Sequence, residues 1–222
     1  YYVARFTREA YAAAQLTHHN VVQIYDLGNA KKLRFFSMEF VRGSDLGRLL
    51  KKKGRLAPRE AAGYILQAAR GLKFAHDHGL VHRDIKPENV MIDNEGIVKV
   101  ADLGVVKSVG DDWQGEASTS KSIDNGEDAG MTMAHAAMGT PAYMPPEQAD
   151  NAAGVDHRAD IYSLGCTLYT LVTGRSPFSG KTVAEVLTKH KTGQFTPPSI
   201  VVDSLPEDLS KITLKLMARK AE

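Results

Sequence analysis

Apolar positions along the chain alternate between two periods, and each change of period marks an element. Phe6, Ala10, Ala13 and Ala14 share one helical face, so a helix is expected over 6–16. Val21–Leu27 and Leu33–Val41 are β-rich apolar runs, and Gly28-Asn29-Ala30-Lys31 between them has the chemistry of a hairpin turn. Ser44 is placed to cap a short helix through Leu46, Leu49 and Leu50, stopped by Gly54. After Pro58 a longer helix is expected, with Ala62, Ile65, Leu66, Ala69 and Leu72 recurring at helical spacing; Ala57 is a weak cap for it. Val90-Met91-Ile92 and Ile97-Val98-Lys99-Val100 flank Asp93-Asn94-Glu95-Gly96, a second hairpin signal. From Ser108 to Ala137 no period survives and Ser, Gly and Asp dominate, which predicts a long loop. Asp111, Asp112, Glu116, Asp124, Glu127 and Asp128 make that loop acidic. Asp160–Gly174 is the clearest helix: Ile161, Leu164, Leu168, Leu171 and Val172 form one face, and Tyr162, Cys166 and Tyr169 make the other nearly as apolar. A helix apolar all round belongs in the middle of a protein. The chain from Ser44 onward is therefore expected to be mainly helical around that segment, and the part before it mixed and small.

Composition narrows the class. The 222 residues suit one domain, or one domain in two lobes, and 43% hydrophobic residues are ample for a core. A formal charge of +2 gives no argument for nucleic acid or membrane as partner. The single cysteine, Cys166, cannot form an internal disulfide, which fits a reducing, cytoplasmic setting. No apolar run approaches the ~20 residues of a membrane span. The chain opens on Tyr1-Tyr2-Val3 without a starting Met, as a piece of a longer protein would.

The densest chemistry is His82-Arg83-Asp84-Ile85-Lys86-Pro87-Glu88-Asn89, between a helix and a hairpin. Such a loop on rigid supports is a natural place for function. Phosphoryl transfer needs a group that orients a hydroxyl, cations on the phosphates and oxygen ligands for magnesium. Asp84 can orient the hydroxyl or accept its proton, Lys86 can neutralise the moving phosphoryl, and Asn89 offers an amide oxygen. Asp102 follows one hairpin later, so Asn89 and Asp102 can converge on one Mg2+, a cation that prefers hard oxygen ligands. His76-Asp77-His78 also has ligand types, but no nearby cysteine or further histidine completes a zinc site.

These residues resemble the protein kinase family, in the bacterial Hanks-type serine/threonine branch. His82-Arg83-Asp84 through Asn89 resembles its catalytic loop, and Asp102-Leu103-Gly104 its Asp-Phe-Gly segment. Gly139-Thr140-Pro141-Ala142-Tyr143-Met144-Pro145-Pro146-Glu147 looks like the end of its activation loop, and Asp160-Ile161-Tyr162-Ser163-Leu164-Gly165 like the start of its central helix. Arg8-Glu9-Ala10, ahead of Leu16-Thr17-His18-His19-Asn20, resembles the helix that carries the lysine-pairing glutamate. Any one motif is weak; five in the right order are specific.

The resemblance implies an α+β, two-lobe kinase-like fold. Residues 1–41 would be a partial smaller lobe holding the Glu9 helix, two strands and the start of the hinge. Residues 42–222 would be the mainly helical lobe, with an activation segment over 102–147. It implies ATP and Mg2+ as cofactors and Ser/Thr hydroxyls of proteins as substrates. Glu9 would pair with a strand lysine, Met38 would bound the adenine pocket, and backbone groups of Glu39 and Val41 would meet adenine. His82 would pack beneath the Asp102 segment with Leu103 as its apolar neighbour, and Asp160 would brace the catalytic loop from below. Arg83 would either only hold the loop or bind a phosphate on the activation segment, the reading that goes with an arginine before the aspartate in the family, with Thr132 the expected phosphosite and Ser118, Thr119, Ser120 and Ser122 the alternatives. Thr140 would contact Asp84, and Glu147 would pair with an arginine beyond Glu222. A kinase–kinase dimer for autophosphorylation is a further expectation, as is a membrane anchor only in regions outside this chain. The glycine-rich loop and strand lysine of the family would lie before Tyr1, so little activity is expected of these residues alone. The competing readings are a catalytically silent scaffold with this fold and a small-molecule phosphotransferase; Gly139–Glu147 argues against the latter.

Overall fold

A computed structural model describes residues 16–30, 33–103, 141–150 and 154–218. The expected helix over 6–16, apart from Leu16, which is buried but not helical, and the acidic loop over 108–137 lie outside the described residues. The first described element is a hairpin, β1 (Ile24–Ala30) against β2 (Leu33–Met38), antiparallel from Ile24 opposite Met38 to Ala30 opposite Leu33. The turn is not where the sequence put it: Gly28 is a strand residue opposite Phe35, whose ring would collide with any Cβ at that position. Glycine here marks a close cross-strand approach. Val21 and Val22 also leave the expected strand and join the edge of another sheet, with Val22 N–H donating to the Val100 carbonyl at 2.9 Å.

That sheet has three strands in the order β3 (Gly43–Asp45), β4 (Val90–Asp93), β5 (Val98–Val100), both pairings antiparallel. The β4–β5 hairpin follows the sequence signal. The strand β3 was not expected, and it moves the helix cap. Ser44 pairs with Ile92, so Asp45 caps α1 (Leu46–Lys53), accepting from Arg48 N–H at 2.8 Å. Lys51, Lys52 and Lys53 complement the dipole at its last turn, and Gly54 ends it at φ 75°.

The long helix α2 (Pro58–Asp77) starts on proline, without a side-chain cap from Ala57. Its buried stripe is Ala61, Ile65, Ala68, Leu72 and Ala75, not the set centred on Leu66, which is 54% exposed. Alanines at both 61 and 62 leave the phase open; the neighbouring helix decides it. That neighbour is α4 (Arg158–Thr173), which is buried nearly all round. Ile161, expected inward, is half-exposed at its N-terminal end. Leu164, Leu168 and Leu171 of α4 meet Ile65 and Leu72 of α2, Leu46 of α1, and Val90, Val98 and Val100 of the sheet in one core. Burial stabilises by roughly 1.5–3 kcal/mol for each such side chain.

The opposite face of α4 packs Tyr162, Cys166 and Tyr169 with Phe178, Val186 and Met217. These come from the C-terminal elements, α5 (Val183–Thr192), the short α6 (Pro198–Val201) and α7 (Glu207–Leu216), together with their connections. Between the sheet and α4 in sequence lie a 3-10 turn, Pro141–Tyr143, and the short helix α3 (Pro146–Asp150). A third apolar cluster, Leu16, Val21, Ala75 and Leu103, joins the start of the described chain to the end of α2. Asn20, fully buried, ties the same region to β5: its Nδ2 donates to the Val98 carbonyl at 2.7 Å. Among the described residues no helix is long and apolar enough to cross a membrane.

Candidate active site

The chain leaves α2 at Asp77, crosses the start of α4 as a loop, and enters β4 through a 3-10 turn at Pro87–Asn89. Two buried groups hold this loop from beneath. Asp160, in the first turn of α4 and fully buried, accepts from His82 N–H at 2.8 Å and from Arg83 N–H at 2.7 Å. His76 Nε2 lies 2.7 Å from the same carboxylate. Hydrogen bonds to a charged acceptor are the strong kind, and a buried carboxylate requires them.

His82 is the second group, also fully buried. Asp84 N–H donates to its Nδ1 at 3.2 Å, so Nε2 carries the proton and donates to the Ala101 carbonyl at 2.7 Å. The ring thereby joins the loop to the residue before Asp102. Ala101 is held at its other end too, its N–H donating to the Asn89 carbonyl at 2.9 Å. Leu103 packs with Leu16, Val21 and Ala75. His82's hydrogen-bond partner in this segment is the Ala101 carbonyl.

On the open side of the loop, Lys86 Nζ lies 3.0 Å from Asp84 Oδ2. Asn89 Nδ2 donates to the Asp84 carbonyl at 2.8 Å and to Oδ2 at 3.2 Å. That commits the amide nitrogen and fixes the amide's orientation, so Oδ1 is the atom Asn89 can offer a metal. Arg83 and Asp102 both sit at positive φ, 65° and 57°. Each non-glycine residue there costs of order 1–3 kcal/mol, a cost that the surrounding contacts must over-determine. Asp102 reaches an exposed position at the rim of a shallow cleft lined by Val22, Ile24, Phe36, Met38, Val100 and Leu103. An apolar floor with one carboxylate suits a flat, partly apolar ligand carrying charge at one end. A carboxylate and an amide oxygen are hard donors, so Asp102 and Asn89 fit magnesium in kind.

Met38 lines this cleft, and Glu39 and Val41 continue the chain past it. Glu39 is anchored: its N–H donates to the Gln23 carbonyl at 2.8 Å and its Oε1 lies 3.0 Å from Lys99 Nζ. Any backbone contribution of Glu39 to a ligand is therefore left to its carbonyl. Glu147 is exposed on α3, and Arg158, whose charge is favoured first by Asp156, also feels it. Glu9, Thr132 and Thr140 lie outside the described residues. The possible zinc ligands diverge: His76 turns to Asp160, Asp77 to Lys73, and His78 to the Phe74 carbonyl. Cys166 is fully buried, and burial pushes its thiol up, so it packs as an apolar residue.

Two contacts near the site had no sequence signal. Gln148 of α3 donates from Nε2 to the Arg83 carbonyl at 3.0 Å. His190 of α5 is fully buried, with Nδ1 2.8 Å from the Tyr162 hydroxyl and its ring 3.8 Å from that of Phe178. A lone Gln or His on a short polar stretch reads as surface in any sequence.

Comparison with known proteins adds the following. A family model described as "Protein kinase domain" matches residues 2–220. A probable serine/threonine-protein kinase PknB of Bifidobacterium longum is 37% identical over 98% of this chain, which covers 31% of that relative. A probable serine/threonine-protein kinase of Clostridium acetobutylicum is 36% identical over 100% of the chain, covering 31% of the relative. The serine/threonine-protein kinase PknB of Mycobacterium tuberculosis is 36% identical over 98% of the chain, covering 33% of its length. The chain thus spans about a third of the length of these curated relatives.

Proposed function

Because the chain belongs to the protein kinase family and has its α+β fold, we propose that it is the catalytic part of an enzyme that moves the γ-phosphoryl of ATP to serine and threonine hydroxyls of proteins. The observation that carries this reading is the cluster on the catalytic loop. A carboxylate (Asp84) lies 3.0 Å from an ammonium (Lys86) and is hydrogen-bonded by an amide (Asn89), on a backbone braced by the buried Asp160. Asp84 orients the acceptor hydroxyl and takes its proton. Lys86 offsets charge on the phosphoryl group as it moves. Asn89 Oδ1 and Asp102 would hold Mg2+, which would neutralise charge on the phosphates when bound. The cleft between β1–β2 and Leu103 takes the adenine end, with Met38 at its wall and the backbone of Glu39 and Val41 at its edge; Glu9 completes the grip on ATP through a lysine.

Residues 1–41 then belong to the smaller lobe and 42–222 to the larger one, with the activation segment at 102–147. Regulation follows from Arg83. Its Nε is buried without a hydrogen-bond partner among the described residues. A cation placed like this gains a dianionic partner when the activation segment is phosphorylated, and Thr132 is the hydroxyl we assign. Thr140 and Glu147 shape the segment that receives the substrate. The domain works in the cytoplasm, with any membrane anchor elsewhere in the full-length protein, and pairs with a second copy for autophosphorylation.

The test is phosphate transfer from radiolabelled ATP to a generic basic protein by the full-length gene product and by its Asp84→Asn variant. Transfer by the wild type that disappears in the variant supports the reading. An inactive wild type, or an Asp84→Asn protein as active as the wild type, refutes it.

A further inference from the structure

Arg83 and Asp84 form a dipeptide whose four backbone polar groups are each held by a different side chain. Arg83 N–H is held by Asp160 at 2.7 Å, Asp84 N–H by His82 at 3.2 Å, and the Asp84 carbonyl by Asn89 at 2.8 Å. The fourth group, the Arg83 carbonyl, is held by Gln148 at 3.0 Å. Three of these side chains belong to the catalytic loop or to the core helix α4. Gln148 alone comes from the segment that follows the activation loop. The conformation it holds is the strained one, Arg83 at φ 65°, and that conformation sets the direction in which Asp84 leaves the loop. Gln148, Arg83 and Asp84 also lie together in one closely packed spot, with Ile85, Tyr143, Met144 and Ser163.

Resting on the kinase reading above, we propose that Gln148 is a positioning residue for Asp84, coupling the placement of α3 to the orientation of the catalytic carboxylate through the Arg83 carbonyl. Stability does not account for a glutamine at this place. Its Oε1 is buried with no hydrogen-bond partner among the described residues. A flipped amide would set Oε1 against the Arg83 carbonyl, acceptor against acceptor. Burying an unsatisfied carbonyl oxygen is costly enough to offset what the single hydrogen bond contributes. An apolar side chain of the same length would be tolerated as well or better by the fold, and would leave the Arg83 carbonyl without its donor.

The experiment uses the full-length protein with Gln148→Met, which keeps length and removes the donor, and Gln148→Glu, which keeps size and sets a carboxylate against a carbonyl. Thermal midpoint, kcat, KM for ATP and hydrogen–deuterium exchange at Arg83 and Asp84 are measured for each. The proposal expects Gln148→Met to melt at or above the wild-type temperature, with kcat down about tenfold, the factor given by ~1.4 kcal/mol. KM for ATP should be unchanged, exchange at the two amides should be faster, and Gln148→Glu should lose at least as much kcat. Unchanged exchange at both amides, unchanged kcat, or failure of both variants to fold would each overturn it. A wild type without transfer activity counts against the kinase reading alone, and the exchange measurement still decides the clamp.

Discussion

Asp160→Asn is the sharpest test of how the catalytic loop is held. The substitution keeps size and one acceptor oxygen but replaces the other oxygen with an NH2 group. In the wild type both oxygens are used: Oδ1 accepts from Arg83 N–H at 2.7 Å, and Oδ2 accepts from His82 N–H at 2.8 Å and lies 2.7 Å from His76 Nε2. Whichever way the asparagine turns, one backbone N–H of the loop faces a donor, and the bond that survives loses its charge. Hydrogen bonds to charged groups contribute ~1.5–3 kcal/mol each, and a buried donor left unsatisfied costs about 1–3 kcal/mol. Losing the charge on the surviving bond and leaving one loop donor unsatisfied therefore costs roughly 3 kcal/mol or more. For a domain of this size a change of 1 kcal/mol moves the thermal midpoint by about 2–4 °C, so a fall on the order of 10 °C is expected. The local signature is more specific. Arg83 loses the anchor for its positive φ, so the amides of His82 and Arg83 should exchange with solvent faster, while those in the middle of α4 keep their protection at low denaturant. Phosphate transfer should fall by more than tenfold, because Asp84, Lys86 and Asn89 all stand on the loop that Asp160 holds. A midpoint within about 2 °C of the wild type, with His82 and Arg83 as protected as before, would refute the claim that Asp160 carries the loop.

Two further outcomes follow from the geometry. Burial pulls the His190 imidazole down to about 4, against the weaker opposing pull of the Pro141 and Ala142 carbonyls, so the fold favours the neutral ring. Stability from this group is complete above its unfolded value near 6.5 and is lost as pH falls from there through about 4. The loss reaches about 3 kcal/mol. His190→Phe should flatten the dependence of the thermal midpoint on pH between 7 and 4, and an unchanged slope would show that other groups carry it. Gly54 and Gly174 both sit at positive φ, 75° and 79°, but a Cβ at Gly54 meets open space while one at Gly174 collides with the Gly54 carbonyl. Gly174 has the left-handed backbone, so Gly174→Ala should cost clearly more than the ~1–2 kcal/mol of that conformation alone; a melting temperature lowered only by that amount would contradict the close approach of Gly174 to the Gly54 carbonyl.

Local chemistry carried much of this protein. The spacing of Leu164, Leu168, Leu171 and Val172 was enough to identify α4 and its central place, because only a helix hidden on all sides is apolar on all sides. Gly54 and Gly174 marked helix ends, and Asp93-Asn94-Glu95-Gly96 marked a tight hairpin, since backbone at positive φ selects its residues directly. The order of short motifs from His82 to Asp160 placed the chain in its family without any knowledge of distance.

Where a choice depended on a partner far along the chain, tertiary structure made it. Ser44 and Asp45 are equal as caps until β3 pairs with β4 and puts Ser44 in a strand. The phase of α2 is open while Ala61 and Ala62 are both small, and α4 resolves it toward Ala61, Ile65, Ala68 and Leu72. Asp160 stands 78 residues from His82 in sequence, and Gln148 stands 65 from Arg83. Periodicity reports which side of an element avoids water, but not which distant backbone amide a side chain will meet. Residue types and short spacings determined the elements and the chemistry of the catalytic loop. The packing of α4 under that loop decided which side chains hold it, because hydrogen bonds form between neighbours in space, and only the folded core makes those residues neighbours.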